Sequence, residues 1–127
     1  MKNYRKIFFL ILIFGLLSCE SDKKNELIGV WESFEKNHTK NVLTFFNDSL
    51  ILDAYNGEYH TNSKWEIDDE KIYLKNIKLK DSVIINSLIY EYKINKSKDT
   101  LRIKIENGNE EDVSFMKKVE SNPFKTN

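Results

Sequence analysis

Apolar and polar residues alternate with a period of two along most of the chain beyond position 26. Leu101, Ile103 and Ile105 alternate with Arg102, Lys104 and Glu106, the pattern of a strand with one buried face and one wet face. Trp65 and Ile67 alternate with Lys64, Glu66 and Asp68, and Ile72 and Leu74 with Lys71 and Lys75. Tyr90, Tyr92 and Ile94 alternate with Glu91 and Lys93, and Val113 and Phe115 flank Ser114. The punctuation suits hairpins. Asn56-Gly57 and Asn107-Gly108 tolerate positive φ in tight two-residue turns, while Asn47-Asp48, Asp68-Asp69 and Lys98-Asp99 supply polar reversals. The pattern predicts eight or nine strands, at 28–34, 41–46, 49–55, 58–67, 71–77, 82–86, 88–95, 100–106 and 112–119. The stretch from Ile77 to Leu88 also suits a short helix.

Short antiparallel strands with short connections form a meander that must pack as two sheets or close on itself. Closure removes the exposed edges that invite aggregation. The expected fold is therefore all-β, an antiparallel up-and-down meander of eight or nine strands closing into a small barrel. Its inward positions include Trp31, Phe45, Trp65, Tyr90, Tyr92, Ile105, Val113 and Phe115. Most are large, and an eight-stranded barrel is just wide enough for side chains to fill it or for one small ligand. Bulky inward residues favour filling; two tyrosines on one strand could instead turn hydroxyls toward a guest.

The first residues follow another pattern. Lys2, Arg5 and Lys6 precede the run Ile7 to Leu17, 11 residues that are all apolar apart from Gly15. That is short of the roughly 20 residues of a spanning helix and suits the core of a signal peptide. Leu16-Leu17-Ser18-Cys19 resembles a lipobox, in which the thiol is joined to a diacylglycerol and the chain is cut before the modified cysteine. Cys19 is the only cysteine, so no disulfide or thiolate metal site can staple the fold. Residues 1–18 thus read as a lipoprotein signal peptide and 19–26 as a flexible polar tether. Residues 27–119 form the barrel domain, and 120–127, with the only proline, Pro123, form a tail expected to fray. Glu20, rather than an aspartate, follows the lipidated cysteine, which points to the outer membrane, on either its periplasmic or its surface face.

Loss of the leader removes three basic residues from a chain with 20 basic and 20 acidic ones, leaving a mature net charge of −3. Weak acidity excludes the clustered-cation mode of nucleic-acid binding. Site chemistry is sparse. His38 and His60, the only histidines, stand in polar stretches and read as surface residues. The carboxylate runs Asp68-Asp69-Glu70 and Glu110-Glu111-Asp112 lack the oxygen-ligand spacing of a calcium loop and read as solvated turns. No phosphate loop, nucleophile motif or paired metal-ligand signature occurs, so neither an enzyme nor a cofactor is expected.

Leu27-Ile28-Gly29-Val30-Trp31, Leu43-Thr44-Phe45-Phe46-Asn47-Asp48 and Lys64-Trp65-Glu66-Ile67 together resemble the small lipocalin-like domains of bacterial lipoproteins, over Leu27 to Val119. The resemblance implies that Trp31 lays its indole across the closed end of a barrel and that Gly29 permits close approach of the chain. It also implies a late arginine stacked on that indole. Here Arg102 is the sole mature arginine, so Lys117 or Lys118 would have to substitute; the family's post-barrel helix and its Thr-Asp-Tyr motif are missing. Two functions follow as expectations. One is a membrane protein held by lipid on Cys19 that binds a small apolar ligand, lined by Phe45, Trp65, Tyr90 and Tyr92. The other is an envelope protein with a filled barrel that binds a protein partner, as an inhibitor or assembly subunit.

Overall fold

A computed structural model describes residues 22–34 and 39–124. Cys19 and the leader lie outside the described residues, as do His38 and the last three positions. The chain forms eight antiparallel strands: β1 (Gly29–Ser33), β2 (Val42–Phe45), β3 (Ser49–Ala54), β4 (Tyr59–Asp68), β5 (Lys71–Leu79), β6 (Ser82–Ile94), β7 (Thr100–Ile105) and β8 (Ser114–Val119). Each pairs with the next in sequence, and β8 returns to β1 with Val30 opposite Val119 and Ser33 opposite Met116. The result is the closed up-and-down barrel that the alternation predicts.

The two strands expected at 82–86 and 88–95 are one 13-residue strand, β6, and the Ile77–Leu88 stretch is strand and turn rather than helix. Its β-branched Val83, Ile84 and Ile85 favour extended backbone, and Lys80-Asp81 reverses the chain with Lys80 at φ 57°. Other reversals are polar as expected: Asp69 (φ 59°) lies between β4 and β5, and Lys98 (φ 59°) between β6 and β7. In the latter loop Asn95 Oδ1 accepts from the backbone N–H groups of Asp99 and Thr100, both at 3.0 Å. The Asn-Gly dipeptides do not form two-residue turns. Asn56-Gly57 sits in a connection of residues 55–58, and Asn107-Gly108 opens a longer one that contains a 3-10 turn at Glu110–Asp112.

A bulge on β5 corrects the phase of the core. Asn62 faces Lys78 and Lys64 faces Lys75, so β5 uses three residues where β4 uses two, with Asn76 at φ 53°. Leu74 and Ile77 thereby both reach the core despite their odd spacing. At the C-terminus the expected phase is wrong. Phe115 is half exposed and Ile105 is 41% exposed, Val113 is only half-buried, and Met116 supplies the core side chain of β8. The 3-10 turn delays the start of β8 to Ser114, and pairing to β1 places Met116 and Lys118 on the inner face.

The ends differ from expectation too. Residues 22–27, read as part of a tether, form a short helix whose Leu27 is fully buried. The tail, expected to fray, lies against the outside of the barrel as far as Phe124. Asn122 Nδ2 donates to Asp53 Oδ2 at 2.7 Å, and the Phe124 ring rests over Gly57. This cover accounts for the burial of Thr44 and Asp53 on the outer wall.

Gly29 adopts φ +132°, and an added Cβ would sit 3.0 Å from Lys118 Cε. The backbone angle demands glycine, and the lysine beside it would have to shift slightly for any larger residue. Gly29→Ala is expected to lower stability by roughly 1–3 kcal/mol, measured by urea unfolding.

Candidate functional site

The hairpin order gives the barrel two unlike ends. At one end lie residues 22–28, the turn between β2 and β3, and the loops between β4 and β5 and between β6 and β7. Two indoles plug this end. Trp31, fully buried, donates from Nε1 to the Leu27 carbonyl at 2.8 Å. Trp65, 2% exposed, donates from Nε1 to the Phe46 carbonyl at 2.7 Å. Phe45 meets Trp65 edge-on, with ring centres 4.9 Å apart. Cations cap both indoles from outside: Lys118 Nζ lies 5.4 Å from the Trp31 ring centre and Lys24 Nζ lies 4.9 Å from that of Trp65. Lys118 therefore occupies the place over Trp31 that the resemblance assigns to an arginine. Glu26, paired with Lys98 at 3.0 Å, fixes the helix to the loop between β6 and β7. This end is closed.

The other end opens into a cavity of about 410 Å³. Leu43, Leu52, Ile103 and Met116 line its apolar part, and Tyr90, Ser33, Asn41 and Ser114 add polar groups. Its rim is held by cross-links between neighbouring segments. Asn41 accepts from the Tyr55 N–H through Oδ1 at 2.9 Å, and its own N–H donates to Ser33 Oγ at 2.8 Å. Asn56 donates its backbone N–H to the Lys40 carbonyl at 2.9 Å. These bonds tie the segment after β1 to the connection between β3 and β4, so the mouth has a fixed wall on that side.

Of the four aromatic residues expected to line a ligand, Tyr90 alone borders this cavity. Phe45 and Trp65 are packed against each other in the plug, and Tyr92 is 7% exposed within the core. Tyr90 faces Ile72 across the sheet. Gly29 and Trp31 both lie on β1 toward the closed end. What the sequence pattern missed is Leu52, Met116 and Ser33: Leu52 and Met116 lie in short strands without clean alternation, and Ser33 ends β1.

The outer wall carries a second concavity, a groove of about 460 Å³ between the tail and strands β1 to β4. Here His60 Nδ1 meets Asp53 Oδ1 at 2.6 Å, and the Thr44 hydroxyl is buried without a partner. Ser121 lines the same groove but makes no hydrogen bond to His60 among the described residues, so no nucleophile and base are joined. The outer face of β5 to β7 is laced with partly solvated ion pairs such as Lys71–Glu106 at 2.7 Å and Lys104–Glu91 at 3.6 Å. Pairs of this kind add little stability. Among the described residues no group of three His, Cys, Asp or Glu side chains is placed to hold a metal ion, and no helix is long and apolar enough to cross a membrane.

No protein-family model, curated protein or solved structure matches the chain.

Burial pushes the Tyr90 phenol above its ordinary value. Tyr92 is raised as well, first by burial and then by the negative charges of Glu26, Glu70 and Asp69 at the closed end. A raised phenol keeps its proton in the folded state, so its contribution is fully present below about pH 10 and is lost as pH rises through the raised value. The urea midpoint is therefore expected to fall above about pH 10, and to fall less steeply in Tyr90→Phe, which has no phenol to ionise there.

Proposed function

We propose that this chain is a lipid-anchored protein of the cell envelope whose lipocalin-like barrel holds a small, largely apolar molecule in the open-end cavity. One observation carries the reading: the barrel is plugged at one end and hollow at the other. The hollow, about 410 Å³, exceeds the roughly 300 Å³ at which ligand pockets begin. Its floor is aliphatic, and the Tyr90 hydroxyl is one of a few polar groups that would give a guest directional contacts. The position of the plug supports the anchor geometry. Only Glu20 and Ser21 separate Cys19 from the helix over residues 22–27, so lipid on Cys19 would hold the closed end near the membrane and turn the mouth away from it. Glu20 favours the outer membrane.

The alternative, a protein-interaction or structural role without a ligand, is favoured by the dense packing of Trp31, Phe45 and Trp65, which leaves no space in the lower half of the barrel. The same experiment separates the two. The apolar fluorophore N-phenyl-1-naphthylamine is expected to bind one site, and Leu52→Trp, which fills the cavity, to weaken binding at least about tenfold. Lys117→Trp, on the exposed outer face of β8, is expected to leave it unchanged. Binding that ignores Leu52→Trp, or no binding at all, overturns the ligand reading. For the anchor, cells fed radiolabelled palmitate are expected to label the native chain and not Cys19→Ser; an unlabelled native chain rejects lipidation.

A further inference from the structure

Strand β6 is paired on one edge along almost its whole length, from Ser82 opposite Leu79 to Glu91 opposite Lys71. On its other edge, pairing with β7 begins only at Tyr90 opposite Ile105, and the last backbone bond runs from the Glu106 N–H to the Ile89 carbonyl at 2.9 Å. Among the described residues nothing bonds to that edge over 82–88. β4 accompanies β5 to its tip, with Thr61 opposite Leu79, so the hairpin runs past the end of β7 alone and leaves the β6 edge free there. Free strand edges are commonly blunted by charge, proline or a bulge. Ser82 to Tyr90 contains a bulge but no charge and no proline, in a chain of which 31% of residues are charged. Val83, Ile84 and Ile85 are 44%, 52% and 40% exposed in succession. They break alternation because Ile77 faces Ile85 while Lys78 faces Val83, which leaves Ile84 as the extra residue of a bulge.

We propose that this edge pairs antiparallel with the same edge of a second copy of the chain. An added strand must bring no charge against Val83 to Ile85 and must offer its own row of unpaired N–H and C=O groups. The segment itself meets both conditions. In the register that sets Ile84 against Ile84, Val83 meets Ile85 of the other copy, and the turn charges Lys80 and Asp81 fall opposite Leu88 and Ser87. No charge is buried and none meets its like. The contact is isologous, so it closes at two chains instead of propagating. The Lys80-Asp81 tip argues against a lipid bilayer as the occupant, since insertion of the apolar residues would carry both charges in first. The inference is independent of any ligand in the cavity.

Native mass spectrometry of the full-length chain released from detergent tests it. A concentration-dependent dimer is expected, and Ile84→Lys is expected to weaken it at least about tenfold by setting two lysines face to face. Lys64→Glu, on β4, is the charge-change control and is expected to leave the dimer intact. Hydrogen exchange at amides 82–88 is expected to slow as the dimer forms. A chain that stays monomeric at all concentrations, a dimer indifferent to Ile84→Lys, or open-ended aggregates would each overturn the proposal. An unchanged circular dichroism spectrum for Ile84→Lys excludes misfolding as the cause of dissociation.

Discussion

The hydrogen bond from the Trp31 indole to the Leu27 carbonyl joins the first strand to the residues that precede it, and much of the barrel's geometry follows from where it puts the ring. Trp65 with Phe45 takes up part of the narrow space that eight strands enclose, and the buried Trp31 ring takes up much of it. Its position brings residues 22–27 across the end as a lid. It also leaves a π-face to Lys118, whose side chain passes beside Gly29. Lys118 and Met116 share the inner face of β8, and the register of β8 on β1, which closes the barrel, sets the lysine over the indole. Burying an aromatic ring of this size stabilises by roughly 4–6 kcal/mol as an upper bound, a large share of the net stability of a small domain.

Plugging one end makes the two ends chemically unequal. At the closed end every strong polar group near the indoles is satisfied: both indole N–H groups have carbonyl partners and Glu26 has Lys98. At the open end the exposed large apolar side chains gather. Phe34, Tyr55, Tyr59, Val83, Ile84, Ile85, Ile105 and Phe115 all sit at or beyond the mouth, and Phe46 alone stands at the closed end. Folding explains the first set of groups and not the second, because buried polar groups must be paired whereas an exposed apolar cluster lowers the free energy only when something covers it.

The strands were legible because most of them bury one face, and a two-residue period cannot then be mistaken for anything else. Leu101 and Ile103 show it cleanly: each is 5% exposed or less, and Arg102 between them is partly solvated. The closed end was legible for a different reason, a short glycine and tryptophan motif whose geometric demand is local. What failed was phase and reach. Val113 and Phe115 look like a core pair, yet the side chain that decides the matter is Lys118, which answers to a ring 87 positions away. The bulge at Asn76 leaves no mark that separates it from an ordinary polar strand position. The docked tail depends on Asn122 finding Asp53, a contact that no periodicity encodes. For the site, Tyr90 was visible through its strand, but whether a large inward residue fills the barrel or lines a space depends on which end it sits at. Phe45, Trp65 and Tyr92 fall toward the plug for that reason.

The overhang of β5 and β6 is the part of the molecule least explained by stability. Its outer half adds Ile77 to the core, while Val83, Ile84 and Ile85 remain in water. A hairpin trimmed near Lys75 and Ser87 would still give β4 and β7 most of the partners they have. A domain of this length has a single core and little surplus stability, and a free, uncharged edge raises its risk of aggregation. Retaining such a segment is reasonable if the edge is covered in the working state. The lid at one end and the free strand at the other then divide the labour: the first closes the barrel on itself, and the second offers backbone bonds outward. A barrel closed by eight strands has used up its edges, and this one keeps an edge only by extending a strand beyond the barrel wall.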